Sequence, residues 1–282
     1  MVTIHNRFVS ADGTVRFLLR LEDGEFVEAV RIPRENRATY CISSQVGCGL
    51  GCTFCLTGQL GFTRDLSAQE IIEQALFLRQ SAQGTPPDEE RASIVFMGMG
   101  EPMSNYDNVL EAIRFFHDER GLKLPMSRIT VSTAGLVPAI RRLSKEPLFP
   151  NLSISLTGAT NSVRDNLMPI NRKYPIEEVI AAVQELPPQR QKRVMFECVM
   201  MRGITDSLSD AEELSRLVRG MTVKVNLIPL NPADEISFER PDDRTVLAFQ
   251  EVLLRNGIAT FIRKNRGNDI SSACGQLKKK IS

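Results

Sequence analysis

The chain has 282 residues, 42% of them hydrophobic, and its 35 basic residues against 34 acidic ones leave a net charge of +1. That length suits one large domain or two modest ones, and so even a charge does not announce a nucleic-acid binder, although it leaves room for a basic cleft. No apolar run is long enough to span a bilayer, and the N-terminus, MVTIHNRFVSADG, lacks the apolar core of a signal peptide, so the expectation is a cytoplasmic protein without a membrane partner. Six cysteines in that setting read as ligands and reactive thiols rather than a disulfide framework.

In chain order, residues 14–32 alternate weakly around Asp23-Gly24 and predict a hairpin with strands over 15–21 and 26–32. From Cys41 onward the pattern alternates. Short β-rich runs fall at 40–43, 93–97, 129–132, 152–156, 193–200, 223–228 and 260–263, with helical patterns between them at 67–80, 106–116, 136–143, 176–186, 206–218 and 244–256. Ser67 and Glu70 form a capping box at the first helix start, and 81–91, polar with two prolines, reads as a loop. Strands alternating with helices of this length imply parallel βαβ units. The fold class is therefore α/β, a partial (βα)6 barrel over residues 37–282 preceded by a short β-hairpin extension over 1–36. A closed eight-fold barrel usually needs a longer chain. Near the C-terminus Arg263, Lys264, Arg266 and the lysines at 278–280 are dense, and the lysine run reads as a solvated tail.

The chemistry-bearing residues gather where the predicted strands end. Cys48, Cys52 and Cys55 stand in Cys48-Gly-Leu-Gly-Cys52-Thr-Phe-Cys55, a C-x3-C-x2-C spacing. Three thiolates suit a cubane of four irons and four sulfides with one iron left open, and the pattern is similar to that of the radical S-adenosylmethionine (SAM) superfamily. A structural zinc is the alternative, with Cys41 or His117 as the fourth ligand. Gly98-Met-Gly100-Glu101-Pro102 follows the second barrel strand, where glycines admit a ligand close to the backbone and Glu101 can accept from an amino group. Ser132 ends the third strand, Ser155, Leu156 and Thr157 the fourth, and the run from Asn226 to Asn231 the sixth; each offers small polar groups at the mouth, or equally a helix cap. Cys198 sits on an apolar strand and reads as a small buried hydrophobe. Cys274 lies in a polar, glycine-containing segment beside Arg266, where a thiolate can be stabilised and exposed.

Taken together, these blocks resemble the RlmN/Cfr-type radical SAM RNA adenine methyltransferases. The resemblance rests on Cys41-Ile-Ser-Ser-Gln-Val-Gly-Cys48, the cluster loop through Gln59-Leu-Gly61-Phe62, Gly98-Met-Gly-Glu-Pro102, Val131-Ser132-Thr133, Arg164-Asp165 with Met168-Pro-Ile-Asn171, the 226–231 run, and Arg266-Gly-Asn-Asp269 through Ala273-Cys-Gly-Gln-Leu277, which cover about residues 25–277 in the family's order. It implies one [4Fe-4S] cluster per chain on Cys48, Cys52 and Cys55. SAM would be held by Gly100, Glu101, Ser132, Ser155, Leu156, Thr157 and Asn231, with Thr157 standing where the family places histidine or asparagine. Cys274 would carry a methyl group to a ring carbon, C2 or C8, of an adenine in 23S rRNA or tRNA. Cys41 would then release the product through a transient disulfide, and Glu28, thirteen residues before Cys41, would accept a proton. The resemblance further implies a reducing partner such as flavodoxin or ferredoxin. It also leads one to expect that the helical accessory domain preceding the hairpin in typical members is missing here. Two other readings remain open at this point. A radical SAM enzyme with a different substrate would not need the Cys41/Cys274 pair, and a non-catalytic metal-bound RNA-binding module would leave Gly98 to Pro102 and Cys274 unused.

Overall fold

The structure, a computed structural model, describes residues 2–35, 37–81, 91–272 and 275–277. The chain forms two compact units, one from residues 1–49, 55–132 and 265–282, the other from residues 50–54 and 133–264.

The first unit opens with four strands, β1 Thr3–Val9, β2 Val15–Arg20, β3 Phe26–Arg34 and β4 Arg37–Cys41, each antiparallel to the one before. A short piece follows: β5 Gln45–Gly47, helix α1 Leu56–Gln59 and β6 Phe62–Asp65, in which β5 and β6 pair with each other. Helix α2 Ala68–Gln80 then leads to β7 Arg91–Phe96, and α3 Tyr106–His117 to β8 Ile129–Thr133. β4 pairs with β7, and β7 with β8, in parallel. The predicted hairpin is present, with Leu21 N–H donating to Glu25 O across the turn. The predicted capping box is also present: Ser67 Oγ accepts from Glu70 N–H while Ser67 N–H donates to the Glu70 carboxylate at 2.9 Å.

The second unit continues with α4 Val137–Leu143, β9 Asn151–Ser155, α5 Asn161–Leu167, α6 Ile176–Gln184, α7 Pro188–Gln191, β10 Val194–Met200, α8 Leu208–Leu217, β11 Lys224–Pro229, α9 Asp243–Arg255 and β12 Ala259–Ile262. Its sheet has the order β9-β10-β11-β12, parallel throughout. One sheet face is apolar and fully buried, with Leu152, Ile154, Phe196, Val225 and Leu227 at or near zero exposure, as expected of parallel strands covered by helices.

All seven predicted β runs of the barrel pattern are strands, and the six predicted helices lie among them as α2, α3, α4, α6, α8 and α9. The strands and α-helices that went unpredicted are β1, β5, α1, β6, α5 and α7. β5, α1, β6 and α7 are too short to show a period, α5 (Asn-Ser-Val-Arg-Asp-Asn-Leu) has only two apolar residues, and β1 is exposed along nearly its whole length, so no buried alternation marks it. Of the predicted loop at 81–91, residues 82–90 lie outside the described residues. Among the described residues no helix is long and apolar enough to cross a membrane.

Candidate functional site

The residues singled out from the sequence divide between the units. Glu28, Cys41, Cys48, Cys55, Gly100, Glu101 and Ser132 belong to the first, and Cys52, Ser155, Leu156, Thr157 and Asn231 to the second. Cys274 lies outside the described residues, as do the lysines at 278–280.

In the first unit, residues 42–45 leave β4 and run beside the loop that leaves β7. Gly98 N–H donates to Ile42 O, Ser44 N–H to Met99 O, and Met99 N–H to Ser43 Oγ at 2.8 Å. The Gln45 side chain accepts Glu101 N–H at 2.8 Å and donates to Asp65 at 2.7 Å, tying the loop to β6. Gly100 has φ +100°, and a Cβ there would stand 2.6 Å from Gln45 Cβ, so no other residue fits without moving this lacing. Glu101 is buried, and its Oε1 accepts Met103 N–H at 3.0 Å. The two loops thus form one rigid backbone surface, suited to holding a ligand by main-chain groups.

The cluster loop leaves from the same place. Cys48 follows β5 and is buried, with its N–H donating to Gly61 O at 2.7 Å, while Cys52 and Cys55 are half-buried and Cys55 is the N-cap of α1. The donor set, three soft thiols on one eight-residue loop, fits an iron–sulfur cubane, in which each thiolate takes a different iron. Among the described residues no three His, Cys, Asp or Glu side chains converge on a single ion, a convergence that a cubane does not require.

On the sheet of the same unit, Val30 pairs with both Arg16 and Cys41. Side chains alternate along a strand, so Arg16, Glu28 and Cys41 share one face and Glu28 is the diagonal neighbour of each. Glu28, 1% exposed, forms a buried ion pair with Arg16, whose guanidinium also lies 4.2 Å from the centroid of the Phe8 ring. A glutamate in a hairpin strand is usually a surface residue, and this one is not. The separation of thirteen residues between Glu28 and Cys41 is the span that returns a chain to the same face of the adjacent strand.

In the second unit, the exit of β9 is held by a side chain. Arg164, fully buried on α5, donates to Ser155 O at 2.7 Å, to Ala134 O at 2.6 Å, and to Leu156 O. Burial brings its pKa down to about 10, against the pull of the nearby Asp165 carboxylate, so it stays protonated at neutral pH. Thr157, directly after the held carbonyls, takes φ +38°, a region that a β-branched residue rarely enters. Asn231 is buried two residues past β11.

A buried polar group missed in the sequence lies on β9–β11. Glu197 accepts from Ser153 Oγ at 2.9 Å and Asn226 Nδ2 at 2.6 Å, and the register sets it beside Ser155 and Asn226. The available signal was a carboxylate inside the apolar run Val194-Met-Phe-Glu-Cys-Val-Met200. Cys198, next to it, points to the opposite face; burial and then the Glu197 charge push its thiol up to about 12, which makes it an inert core residue.

A family model described as the radical SAM superfamily matches residues 42–218. The chain is 48% identical to the dual-specificity RNA methyltransferase RlmN of Syntrophobacter fumaroxidans over 94% of its own length and 77% of that protein's. It is 45% identical to the RlmN of Nitratiruptor sp. over 98% of its own length and 81% of that protein's. Among solved structures, a radical SAM methyltransferase from Sphaerobacter thermophilus superimposes with a TM-score of 0.95 at 42% identity, covering 99% of this chain and 82% of that one.

Proposed function

The chain belongs to the radical SAM superfamily and, within it, to the RlmN family of RNA methyltransferases, and from that premise we propose that it methylates a ring carbon, C2 or C8, of an adenine in RNA through an S-methylcysteine on Cys274. The relatives' name, dual-specificity RNA methyltransferase, supports an RNA substrate, for which 23S rRNA and tRNA are the candidates. A [4Fe-4S] cluster would be held by Cys48, Cys52 and Cys55 and would supply the one electron for reductive cleavage of SAM to a 5′-deoxyadenosyl radical.

The protein's residues do the rest. Gly100 and Glu101 offer a rigid main-chain surface and a carboxylate to the amino-acid end of SAM, with Ser132 near the end of the adjacent strand β8. Ser155, Leu156, Thr157 and Asn231 supply the polar groups of the second unit. The Cys274 thiolate takes a methyl group from one SAM by displacement, with S-adenosylhomocysteine as the leaving group. The radical from a second SAM would take a hydrogen atom from that S-methyl group; an adenine ring C–H carbon is a poor nucleophile, and adding the resulting carbon radical to it avoids asking it to attack SAM. The radical adduct would give up one electron, back to the cluster, as Glu28 takes the ring proton, leaving a closed-shell RNA–protein thioether. Cys41 thiolate then attacks Cys274 sulfur, the S–C bond breaks with the electron pair going to the product's methylene carbon, that carbon takes a proton to become the methyl group, and the disulfide formed is reopened by two electrons from an external reductant, such as a flavodoxin- or ferredoxin-linked system.

One observation carries the reading furthest: Glu28 and Cys41 are diagonal neighbours on a single sheet face, with the carboxylate kept in an ion pair by Arg16. A buried base beside a buried thiol, on the strand that leads into the cluster loop, is what adduct resolution asks for. The test is a pair of variants. Cys41→Ala should accumulate RNA covalently bound to the protein, seen as a nuclease-sensitive shift on a denaturing gel. Cys274→Ala should give neither product nor adduct, and methyladenosine formed by Cys274→Ala would refute the carrier role.

A further inference from the structure

The C-terminal segment is fastened on both sides of Cys274. Upstream, two aspartates exchange contacts between this segment and the turn joining β1 to β2. Asp12, in the turn, accepts Gly267 N–H at 3.1 Å and stands 3.9 Å from the Arg266 guanidinium. Asp269, in the segment, accepts Ser10 Oγ at 2.6 Å and Ala11 N–H at 3.0 Å. Burial raises the Asp12 pKa, but the donors from Thr14 and Gly267 outweigh it and hold the group at about 2. Ser10 and Ala11 hold Asp269 below the ordinary carboxylate value. Both are therefore anionic acceptors at neutral pH, the stronger kind.

The segment is shaped to fit this turn. Gly267 has φ +65°, and a Cβ there would stand 1.9 Å from Ser272 Oγ and 3.0 Å from Thr14 Cγ2. Ser272 closes the loop by donating both N–H and Oγ to Gly267 O at 3.0 Å. Downstream, Gly275 O accepts Leu56 N–H at 2.8 Å and Leu277 O accepts Thr57 Oγ1 at 2.7 Å. Leu56 and Thr57 open α1 and follow directly on Cys55. Ser272 and Gly275, the described residues nearest to Cys274 on either side, are thus both anchored within the first unit, one through the hairpin turn and one through the helix that begins at a cluster cysteine.

We propose that the β1–β2 turn is a positioning element for the methyl-carrying segment, in which Asp12, Asp269 and Ser10 fix residues 266–272 so that Cys274 is presented from a set anchorage. The inference rests on Cys274 being the methyl carrier. A sulfur that must first meet a methyl donor, and whose methyl carbon must then give up a hydrogen atom and form a carbon–carbon bond, needs its geometry held, because small displacements cost large factors in such steps. The clamp gives the N-terminal hairpin a role in the reaction itself.

The test is hydrogen–deuterium exchange on the full, cluster-free chain, followed by product ratios on the reconstituted protein. In Asp269→Ala, peptides covering residues 265–277 should exchange about tenfold faster, the effect of losing a hydrogen-bonded anchor on local opening, while peptides from β9 to β12 stay as in the wild type. After reconstitution, 5′-deoxyadenosine released per methyladenosine formed should rise several-fold while SAM cleavage persists. Asp269→Asn, which keeps one acceptor oxygen, should recover part of both. If Asp269→Ala does not fold, Ser10→Ala removes one hydroxyl and should move the same two readouts in the same direction by less. Unchanged exchange at 265–277, or faster exchange with an unchanged product ratio, would overturn the clamp while leaving the carrier reading intact. Product formation by Cys274→Ala would overturn the carrier reading, and the clamp's role with it.

Discussion

The two compact units secure their strand exits by different means. In the first, the loops after β4 and β7 lace to each other through main-chain groups, helped by Ser43 and Gln45, and the closeness of the backbones excludes a Cβ at position 100. In the second, a single buried guanidinium, Arg164, gathers three carbonyls from the segments after β8 and at the end of β9. Main-chain lacing spreads the work over many weak bonds and offers its remaining groups to a ligand. A buried cation concentrates the work in one side chain. The first arrangement should therefore yield locally and the second as a whole.

That contrast can be broken at three points. The largest effect is expected at the buried ion pair of the first unit. Arg16→Met leaves Glu28 buried without its guanidinium and should cost about 3–5 kcal/mol, with much of the loss recovered in the Arg16→Met/Glu28→Gln double variant. Denaturant titration of the three proteins reads it, and no recovery in the double variant would mean that the pair is not the unit of stability there. Next comes Arg164→Met. One hydrogen bond from a charged donor is worth roughly 1.5–3 kcal/mol, and three are lost, but relief of the guanidinium's desolvation offsets part, for a net loss of about 3 kcal/mol. Arg164→Lys should not rescue it, because an ammonium lacks the planar fork that reaches three carbonyls; full rescue by lysine would show that charge alone matters. The smallest is Gly100→Ala, at about 1–3 kcal/mol from overpacking and a left-handed φ. It should lower SAM affinity, read by equilibrium binding to the reconstituted protein, out of proportion to its effect on stability.

The same contrast governs what the sequence discloses. In the first unit a close approach was legible because steric demand forces a residue type: Gly98 and Gly100 stand out in Phe96-Met-Gly-Met-Gly-Glu101, and the cysteines at 48, 52 and 55 have fixed spacing; the sequence pointed to a ligand at those glycines, and what approaches them in the fold is the segment 42–45. The strand and helix alternation was legible because β-rich runs and helical patterns recur in turn along the chain from Cys41 onward. Arg164 and Glu197 were not recognised as structural anchors. One arginine in a short helix and one glutamate in an apolar strand carry no periodic signal, and their partners, Ala134 and Ser155 for the first and Ser153 and Asn226 for the second, are brought to them only by folding. Glu28 lies between these cases: resemblance pointed to it, whereas its burial and its ion pair with Arg16 depend on the register between β2 and β3. The pairing of Asp12 with Gly267 and of Asp269 with Ser10 joins residues more than 250 positions apart, beyond the reach of any local pattern.

The central claim, a ring-carbon methylation of RNA adenine through Cys274, is tested most directly by mass spectrometry of nucleosides from the total RNA of a host that lacks enzymes of this type, with and without the protein expressed. The account predicts a new methyladenosine that matches a C2 or C8 standard, maps to rRNA or tRNA fragments, and disappears with Cys274→Ala. A host RNA unchanged by a protein whose cluster and SAM cleavage are intact, or a methyladenosine that persists in Cys274→Ala, would contradict it.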